Sequence, residues 1–596
     1  MPLFYLKDVV VNKIKYFLVR LPFLLSFISL FVLIFDLGFN TLNDYHSHLH
    51  HLYNVCLTFG MVIIAYRYYS AFQKKKFPSL GVKIFDIFSV LLFLTLVVVR
   101  WQPEHTIRFF DSNAVIFFAV FIMLVREFSM LQLNLKKTKL TPPQLFIVSF
   151  LLIIFIGAFM LSFPKATVTP GSLRYIDALF TATSAVCVTG LSTVDIGSQF
   201  TLFGKTVMIF LMECGGLGIM TIASYFSYFF RGKASYGNQL VLKDVSSIDK
   251  LGDVFGTLKR IMIISGIIQL IGMIAIFISI RNQVFDSIYE RIFFAIFHGV
   301  SAFCNAGFST LPENLYTLEY RFNYPLQLII AGLFIMGGLG FPIVYNVYKY
   351  AKHLIVNRIL PFSLKQASVY VPRVINLSTK IILLTTASLI VGGTVLVYFL
   401  EYNNTLAEHH GFGKVVVAFF TATSPRTAGF ASVDNNLFTV PTFLILMLLM
   451  WIGASPISTG GGIKTTTFAI ALLNIWTLMK GKTRIEVNRR EVDESAVRRA
   501  FAIIFLSLFS IGVALFALTF FEPNIDIIRL AYEAFSAYST AGLSTGITAK
   551  LADPSKVTLI MLMFVGRVSI LTILIAISKK ETITNYRYPT EEILIN

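Results

Sequence analysis

FTATSAVCVTGL (residues 180–191), FHGVSAFCNAGF (297–308), FFTATSPRTAGF (419–430) and YEAFSAYSTAGL (532–543) align without a gap when Gly190, Gly307, Gly429 and Gly542 are set in register. An aromatic residue stands ten positions before each glycine (Phe180, Phe297, Phe419, Tyr532), a hydroxyl six before (Ser184, Ser301, Thr423, Ser536), and a large apolar residue follows (Leu191, Phe308, Phe430, Leu543). The glycines are spaced 117, 122 and 113 residues apart, so one unit recurs four times. A single loop of this kind is ordinary helix C-cap chemistry. Four registered copies can surround a pseudo-fourfold axis and present rings of backbone carbonyls to a dehydrated ion. Glycine suits that task because backbone without Cβ can take positive φ and approach its neighbours closely.

Composition puts these loops in a membrane. Of 596 residues 56% are hydrophobic, 59 are Phe and only 14% are charged, more apolar surface than a soluble core can hide. Spanning hydrocarbon takes about 20 apolar residues as helix, and a dozen or more stretches qualify, among them Leu145 to Phe163 and Ile503 to Phe521. The first run, 17–35, is long, is followed by Asp36 and lacks a small-residue cleavage site, which predicts a retained span rather than a signal peptide. The net charge of +19 does not point to nucleic acid, because the basic residues sit in short loops between apolar runs. Cys56, Cys187, Cys214 and Cys304 lie in or beside apolar segments without CxxC spacing, which disfavours disulfides and zinc.

Three basic loops (Arg231 to Arg260, Lys349 to Arg373, Lys480 to Arg499) and the markers Lys136, Lys137, Lys139, Lys579 and Lys580 are expected on the cytoplasmic side, as are both termini. Each interval between markers also holds a third segment of about 12 to 15 residues, too short to span and suited to a re-entrant helix. The expected fold is all-α and integral to the membrane: four M1-P-M2 repeats (helix, re-entrant pore loop, helix) in a pseudo-fourfold arrangement, plus about four extra N-terminal transmembrane helices. The boundaries are 1–135 for the accessory helices, 141–235, 255–355, 370–482 (with a broken second helix) and 495–580 for the repeats, and 581–596 for a cytoplasmic tail. The N-terminal helices are not a voltage sensor, since the fourth lacks Arg at every third position. His46, His48, His50 and His51 are expected in a solvated external loop rather than a metal site.

The candidate ion site is the set of residues ending on each glycine: Val188, Thr189, Gly190; Asn305, Ala306, Gly307; Thr427, Ala428, Gly429; Thr540, Ala541, Gly542. The carboxyl end of each short helix, carrying about half a negative charge, would face a cation there. Asp195, Glu313 and Asp434 follow their glycines by five or six positions and are expected to line an outer vestibule, with no acid after Gly542. The second helices carry Gly215-Gly216-Leu217-Gly218, Gly337-Gly338-Leu339-Gly340 and Gly566, but in the third repeat the stretch Gly453 to Thr467 is too rich in Gly, Ser, Thr and Pro to remain a lipid-facing helix. It is expected to obstruct the path below the turns, with Gly460, Gly461, Gly462, Lys464 and the intramembrane Arg567 forming a gate. Its spacing is not that of a phosphate-binding loop, because Ile463 precedes Lys464. Glu213 either pairs with Arg567, attracts the ion or makes a structural interhelical hydrogen bond.

The four glycine loops, SPRTAGF (424–430), GASPISTGGGIKTTT (453–467) and Gly566-Arg567-Val568 resemble the Trk/Ktr/HKT potassium transporter superfamily, and specifically its Ktr-type membrane subunits, over roughly residues 141 to 580. The resemblance implies a homodimer with one pore per subunit, K+ bound at the filter, gating by the third repeat's loop and Arg567, and a cytosolic nucleotide-binding regulatory ring of the RCK (KTN) type. Relatives with serine at the first filter glycine favour sodium, so Gly190 implies potassium. No cofactor is expected beyond the transported ion, with Na+ a candidate stimulating ion, and the location implied is a bacterial inner (plasma) membrane. A cation-coupled (Na+ or H+) symporter using Glu213, His298 and Glu533 is the alternative. An enzyme on lipid-linked substrates is disfavoured, since no catalytic constellation recurs.

Overall fold

The computed structural model of the chain describes residues 28–36, 46–73, 80–101, 141–218, 254–354 and 375–578, apart from position 488, with scattered positions in 38–39 and 115–126. One order of elements recurs four times: a long apolar helix, a short helix, an irregular turn and a second helix. The long helices are Pro142–Leu161, Val254–Ser279, Leu377–Glu401 and Glu494–Phe521. The short helices are Tyr175–Cys187, Ile288–Phe303, Phe412–Thr423 and Ile527–Ser539. The second helices are Leu202–Leu217, Tyr324–Leu339, the interrupted pair Val440–Trp451 and Thr465–Met479, and Asp553–Val568.

Local sequence explains the boundaries. Thr141 N–H donates to the Gln144 carboxamide at 2.9 Å and two prolines follow, a capped start for a helix that needs no donor in its first turn. Three of the four second helices also carry proline in their first turn, Pro325, Pro441 and Pro554. The first uses the Thr201 hydroxyl, which accepts from Gly204 N–H. The second helices of repeats 1, 2 and 4 stop where Gly218, Gly340 and Ser569 take φ of 78°, 87° and 72°. There the chain bends by 104° into Phe341–Leu354 and by 86° into Ile570–Ile577.

Among the described residues five helices are long and apolar enough to cross a membrane, or seven if each bent pair is one span. Two expectations are corrected. His46, His48, His50 and His51 lie on the first turns of the helix His46–Gln73, not in a loop, because the helix runs past its apolar stretch. The chain is not wholly α: Glu486–Val487 and Arg490–Glu491 pair as antiparallel strands inside the third basic loop. The markers Lys136, Lys137, Lys139, Arg231, Lys579 and Lys580 lie outside the described residues.

The short helices sit at the centre. Phe180, Phe297, Phe420 and Tyr532 are all fully buried, and the large apolar clusters join neighbouring repeats: 1 with both 2 and 4, 2 with 3, and 3 with 4. Burying the short helices, rather than the long ones, brings their carboxyl ends and the turns after them together in the middle of the molecule.

Candidate functional site: four converging turns and the loop beneath them

Each short helix is followed by two successive departures into positive φ. The first falls on Val188 (58°), Asn305 (60°), Thr427 (69°) and Thr540 (51°), and the second on Gly190 (96°), Gly307 (70°), Gly429 (76°) and Gly542 (81°). The glycine is therefore not the helix cap: Val188 and Thr540, two positions earlier, cap the short helices of repeats 1 and 4, and Cys304 and Ser424 cap those of repeats 2 and 3. Left-handed backbone at a non-glycine residue costs roughly 1 kcal/mol or more. In repeats 1, 2 and 4 a tight bond reverses the chain: Thr189, Ala306 and Ala541 N–H donate to the Ser184, Ser301 and Ser536 carbonyls at 2.7, 2.7 and 2.8 Å.

The four glycines meet in cyclic order. A Cβ added to Gly190 would collide with the Ala306 carbonyl oxygen and lie 3.2 Å from Gly307 Cα; on Gly307 it would lie 2.7 Å from Gly429 Cα. On Gly429 it would lie 2.9 Å from the Ala541 oxygen and 3.3 Å from Gly542 Cα. On Gly542 it would collide with the Thr189 oxygen and lie 3.1 Å from Gly190 Cα, which closes the ring. Backbone meets backbone, and the free space is too small for any side chain.

The gapless alignment fails at one place. In repeat 3 the fully buried aromatic is Phe420, and the serine whose hydroxyl reaches the Phe430 carbonyl is Ser424, each one position nearer the glycine than its counterparts. Ala428 N–H reaches the Ser424 carbonyl across four residues, where the other turns need five. The turn in repeat 3 is thus one residue shorter, and Pro425, which has no N–H to donate, sits where the shortening occurs. Thr423 instead bonds back to the Phe419 carbonyl at 2.6 Å.

On one side of the ring lies a cavity of about 410 Å³ whose wall includes Glu313, Asp434, Tyr316, Ser544 and Thr548. Asp195 is not in that wall; its carboxylate caps the one-turn helix Ile196–Gln199, accepting from Gly197 N–H at 3.1 Å and Ser198 N–H at 3.2 Å. Burial lifts the Tyr316 phenol above its ordinary value, and nearby Arg321 opposes that rise. The phenol stays neutral, and Glu313 and Asp434 are the acidic side chains of the wall.

On the other side the loop between Trp451 and Thr465 presses against the turns. Gly461 N–H donates to Thr540 Oγ1 at 3.0 Å, Thr459 Oγ1 to Asn305 Oδ1 at 3.0 Å, and Asn305 Nδ2 to Thr427 Oγ1 at 3.2 Å. Further bonds run to the end of the neighbouring second helix, where carbonyls are free: Ser455 N–H to Gly338 O at 3.0 Å and Thr459 N–H to Gly337 O at 3.4 Å. These bonds give part of the loop's non-helical backbone partners within the protein, where hydrocarbon would offer none. It is shorter than expected, because Thr465, Thr466 and Thr467 already open the helix Thr465–Met479.

Arg567 donates through Nη1 to the Thr459 carbonyl and through Nη2 to the Gly215 carbonyl, joining the fourth second helix, the loop and the first second helix. Lys464 Nζ reaches the Gly460 carbonyl at 2.7 Å. Arg426, which sequence reasoning passed over, is buried and donates to the Gly453 carbonyl at 3.3 Å. Glu213 does not pair with Arg567; it accepts from Gln269 on the long helix of repeat 2 at 2.7 Å. Among the described residues no three His, Cys, Asp or Glu side chains gather as a metal site.

Apolar helices around a backbone-lined constriction, acidic on one side and plugged by a basic-tethered loop on the other, define a multi-pass membrane protein suited to passing small cations. The family described as "TrkH: Cation transport protein" matches residues 111–586, starting 30 residues before the motif resemblance, and the chain belongs to it. It is a membrane transport protein, not an enzyme. The Ktr system potassium uptake protein B of Bacillus subtilis (strain 168) is 36% identical over 77% of this chain and 98% of its own length. The potassium/sodium uptake protein NtpJ of Enterococcus hirae is 35% identical over 77% and 98%. The crystal structure of the potassium transporter TrkH from Vibrio parahaemolyticus shares the fold, with TM-score 0.57 at 16% identity over 84% of this chain and 97% of that one.

Proposed function

We propose that this protein takes up potassium across a bacterial plasma membrane through a channel-like pore. The repeats at 141–235, 255–355, 370–482 and 495–580 surround the pore, and carbonyls of the triplets ending at Gly190, Gly307, Gly429 and Gly542 replace the ion's water. One observation carries this reading: four separate glycine backbones approach one another in a closed ring. The relatives named as potassium uptake proteins support the choice of ion. The loop held by Arg567, with Gly460, Gly461, Gly462 and Lys464, is the gate, and its release opens the path. Glu313 and Asp434 concentrate cations outside. The working assembly is a homodimer with a cytosolic nucleotide-binding ring beneath it, both termini are cytoplasmic, and residues 1–135 form an accessory bundle.

Potassium and sodium flux through the purified protein in liposomes, compared with Gly190→Ser, tests the filter. The substitution adds a side chain where the Ala306 carbonyl oxygen stands, and the potassium-to-sodium ratio should fall. An unchanged ratio in the folded variant removes the carbonyl filter. Potassium uptake that tracks an imposed sodium or proton gradient replaces the channel reading with coupled symport.

A further inference from the structure

Behind the glycine ring the four repeats are not alike. In repeats 2 and 4 the residue nine before the glycine, on the short helix, binds the serine two after it. His298 Nε2 is 3.0 Å from Ser309 Oγ, and its Nδ1 is 3.0 Å from the Phe294 carbonyl. A carbonyl can only accept, so Nδ1 carries the proton and Nε2 accepts from the Ser309 hydroxyl. Glu533 takes the Ser544 hydroxyl, Thr545 N–H at 3.3 Å and the Thr548 hydroxyl at 3.1 Å. The two serines do the same second job, accepting from Leu311 N–H at 3.0 Å and Gly546 N–H at 2.8 Å. The chain leaving each of these turns is therefore tied to the short helix entering it.

Repeats 1 and 3 lack the tie. Thr181 occupies the matching place in repeat 1 and, once the one-residue shortening is allowed for, Thr421 does so in repeat 3. Both hydroxyls are buried without a hydrogen-bond partner. Ser192 turns instead to the Val194 carbonyl at 2.6 Å, and Ala431 has no hydroxyl. In the ring Gly307 and Gly542 each touch Gly190 and Gly429, so the tied turns face one another across the centre. Only one tie is acidic, and Glu533 stands in the repeat with no acid after its glycine; its partners Ser544 and Thr548 line the outer cavity.

We propose that Glu533 and His298 are positioning residues that set ion selectivity by bracing two opposed turns of the glycine ring. This rests on the filter reading. The geometry gives each residue a job that a mere core-filling side chain would not have: it fixes where the chain emerges from a carbonyl-lined turn, and a carbonyl ring discriminates between ions by the number and freedom of its oxygens.

The test is potassium and sodium flux in liposomes for the full chain carrying Glu533→Gln, Ser544→Ala, Thr181→Val or Gly542→Ser. Glu533→Gln replaces one of the two acceptor oxygens with a donor, and Ser544→Ala removes the hydroxyl that ties the turn to the short helix; each should lower the potassium-to-sodium ratio by at least about fivefold, the worth of one such bond. The maximal potassium rate should stay near its starting value in both, a split that a folding defect does not produce. Thr181→Val should leave the ratio where it was. A wild-type ratio in folded Glu533→Gln, or in Ser544→Ala should Glu533→Gln not fold, overturns the proposal, as does an equal loss in Thr181→Val. Gly542→Ser separates the two levels: if it shifts selectivity while the brace variants do not, the filter stands and the brace falls, and if it shifts nothing the filter itself fails.

Discussion

Arg567 is a charge in an apolar helix, and its partners are two main-chain carbonyls rather than an acid. Hydrogen bonds to a charged group contribute about 1.5–3 kcal/mol each, so this side chain holds the loop far more firmly than the neutral contacts around it. Arg567→Ala should raise potassium flux on the order of tenfold, one such bond's worth; unchanged or lower flux in a well-folded variant removes the gate. The acids separate in the same manner. Asp434→Asn and Glu313→Gln should each raise the half-saturating potassium concentration, because their carboxylates border the outer cavity. Asp195→Ala should leave that concentration alone and cost about 1 kcal/mol of stability, the usual worth of an N-cap, read as a lower melting temperature in detergent.

At the scale of elements, the second helices earn their glycines by contact. A Cβ on Gly215, Gly337 or Gly566 would strike the carbonyl oxygen of Val186, Phe303 or Tyr538, in each case the residue four before the ring glycine. These glycines let each second helix seat directly on the end of its short helix. Gly566→Ala should therefore destabilise the protein by about 1–3 kcal/mol through overpacking, measurable by thermal unfolding in detergent. In the third repeat the matching Gly453 faces Gly461 of its own loop instead, which leaves room beneath that turn for the loop to enter. The periodic glycines were legible in the sequence; the exchange of one helix contact for a loop contact was not, because it depends on which carbonyl lies opposite.

Over the whole molecule, the seam between the first and last repeats has no chain connection of its own beside the ring. Lys556 Nζ lies 2.7 Å from Asp177, both side chains being at least nine-tenths buried, and Arg174 links Asp177 at 3.0 Å to Asp553 at 2.9 Å. Removing one partner of a buried pair costs about 3–5 kcal/mol when the other charge is stranded, and here Arg174 stays beside Asp177 and softens that loss. Lys556→Met should lower the melting temperature sharply, and the double variant Lys556→Met with Asp177→Leu should recover most of the loss. If the double variant is no more stable than the single one, the pair does not hold the seam.

The chain's own residues determined that it lives in a membrane, that one unit recurs four times, and which glycines and which broken helix matter, since hydrophobic runs and repeats are properties of the linear pattern. Tertiary structure alone decided that the third turn is a residue short, that Asp195 caps a helix while Glu313 and Asp434 face the cavity, and that His298 and Glu533 brace opposed turns. The short turn, the cap and the braces are contacts between near neighbours whose partners depend on how each turn is shaped, whereas Glu313 and Asp434, from different repeats, share a cavity only when the chain has folded.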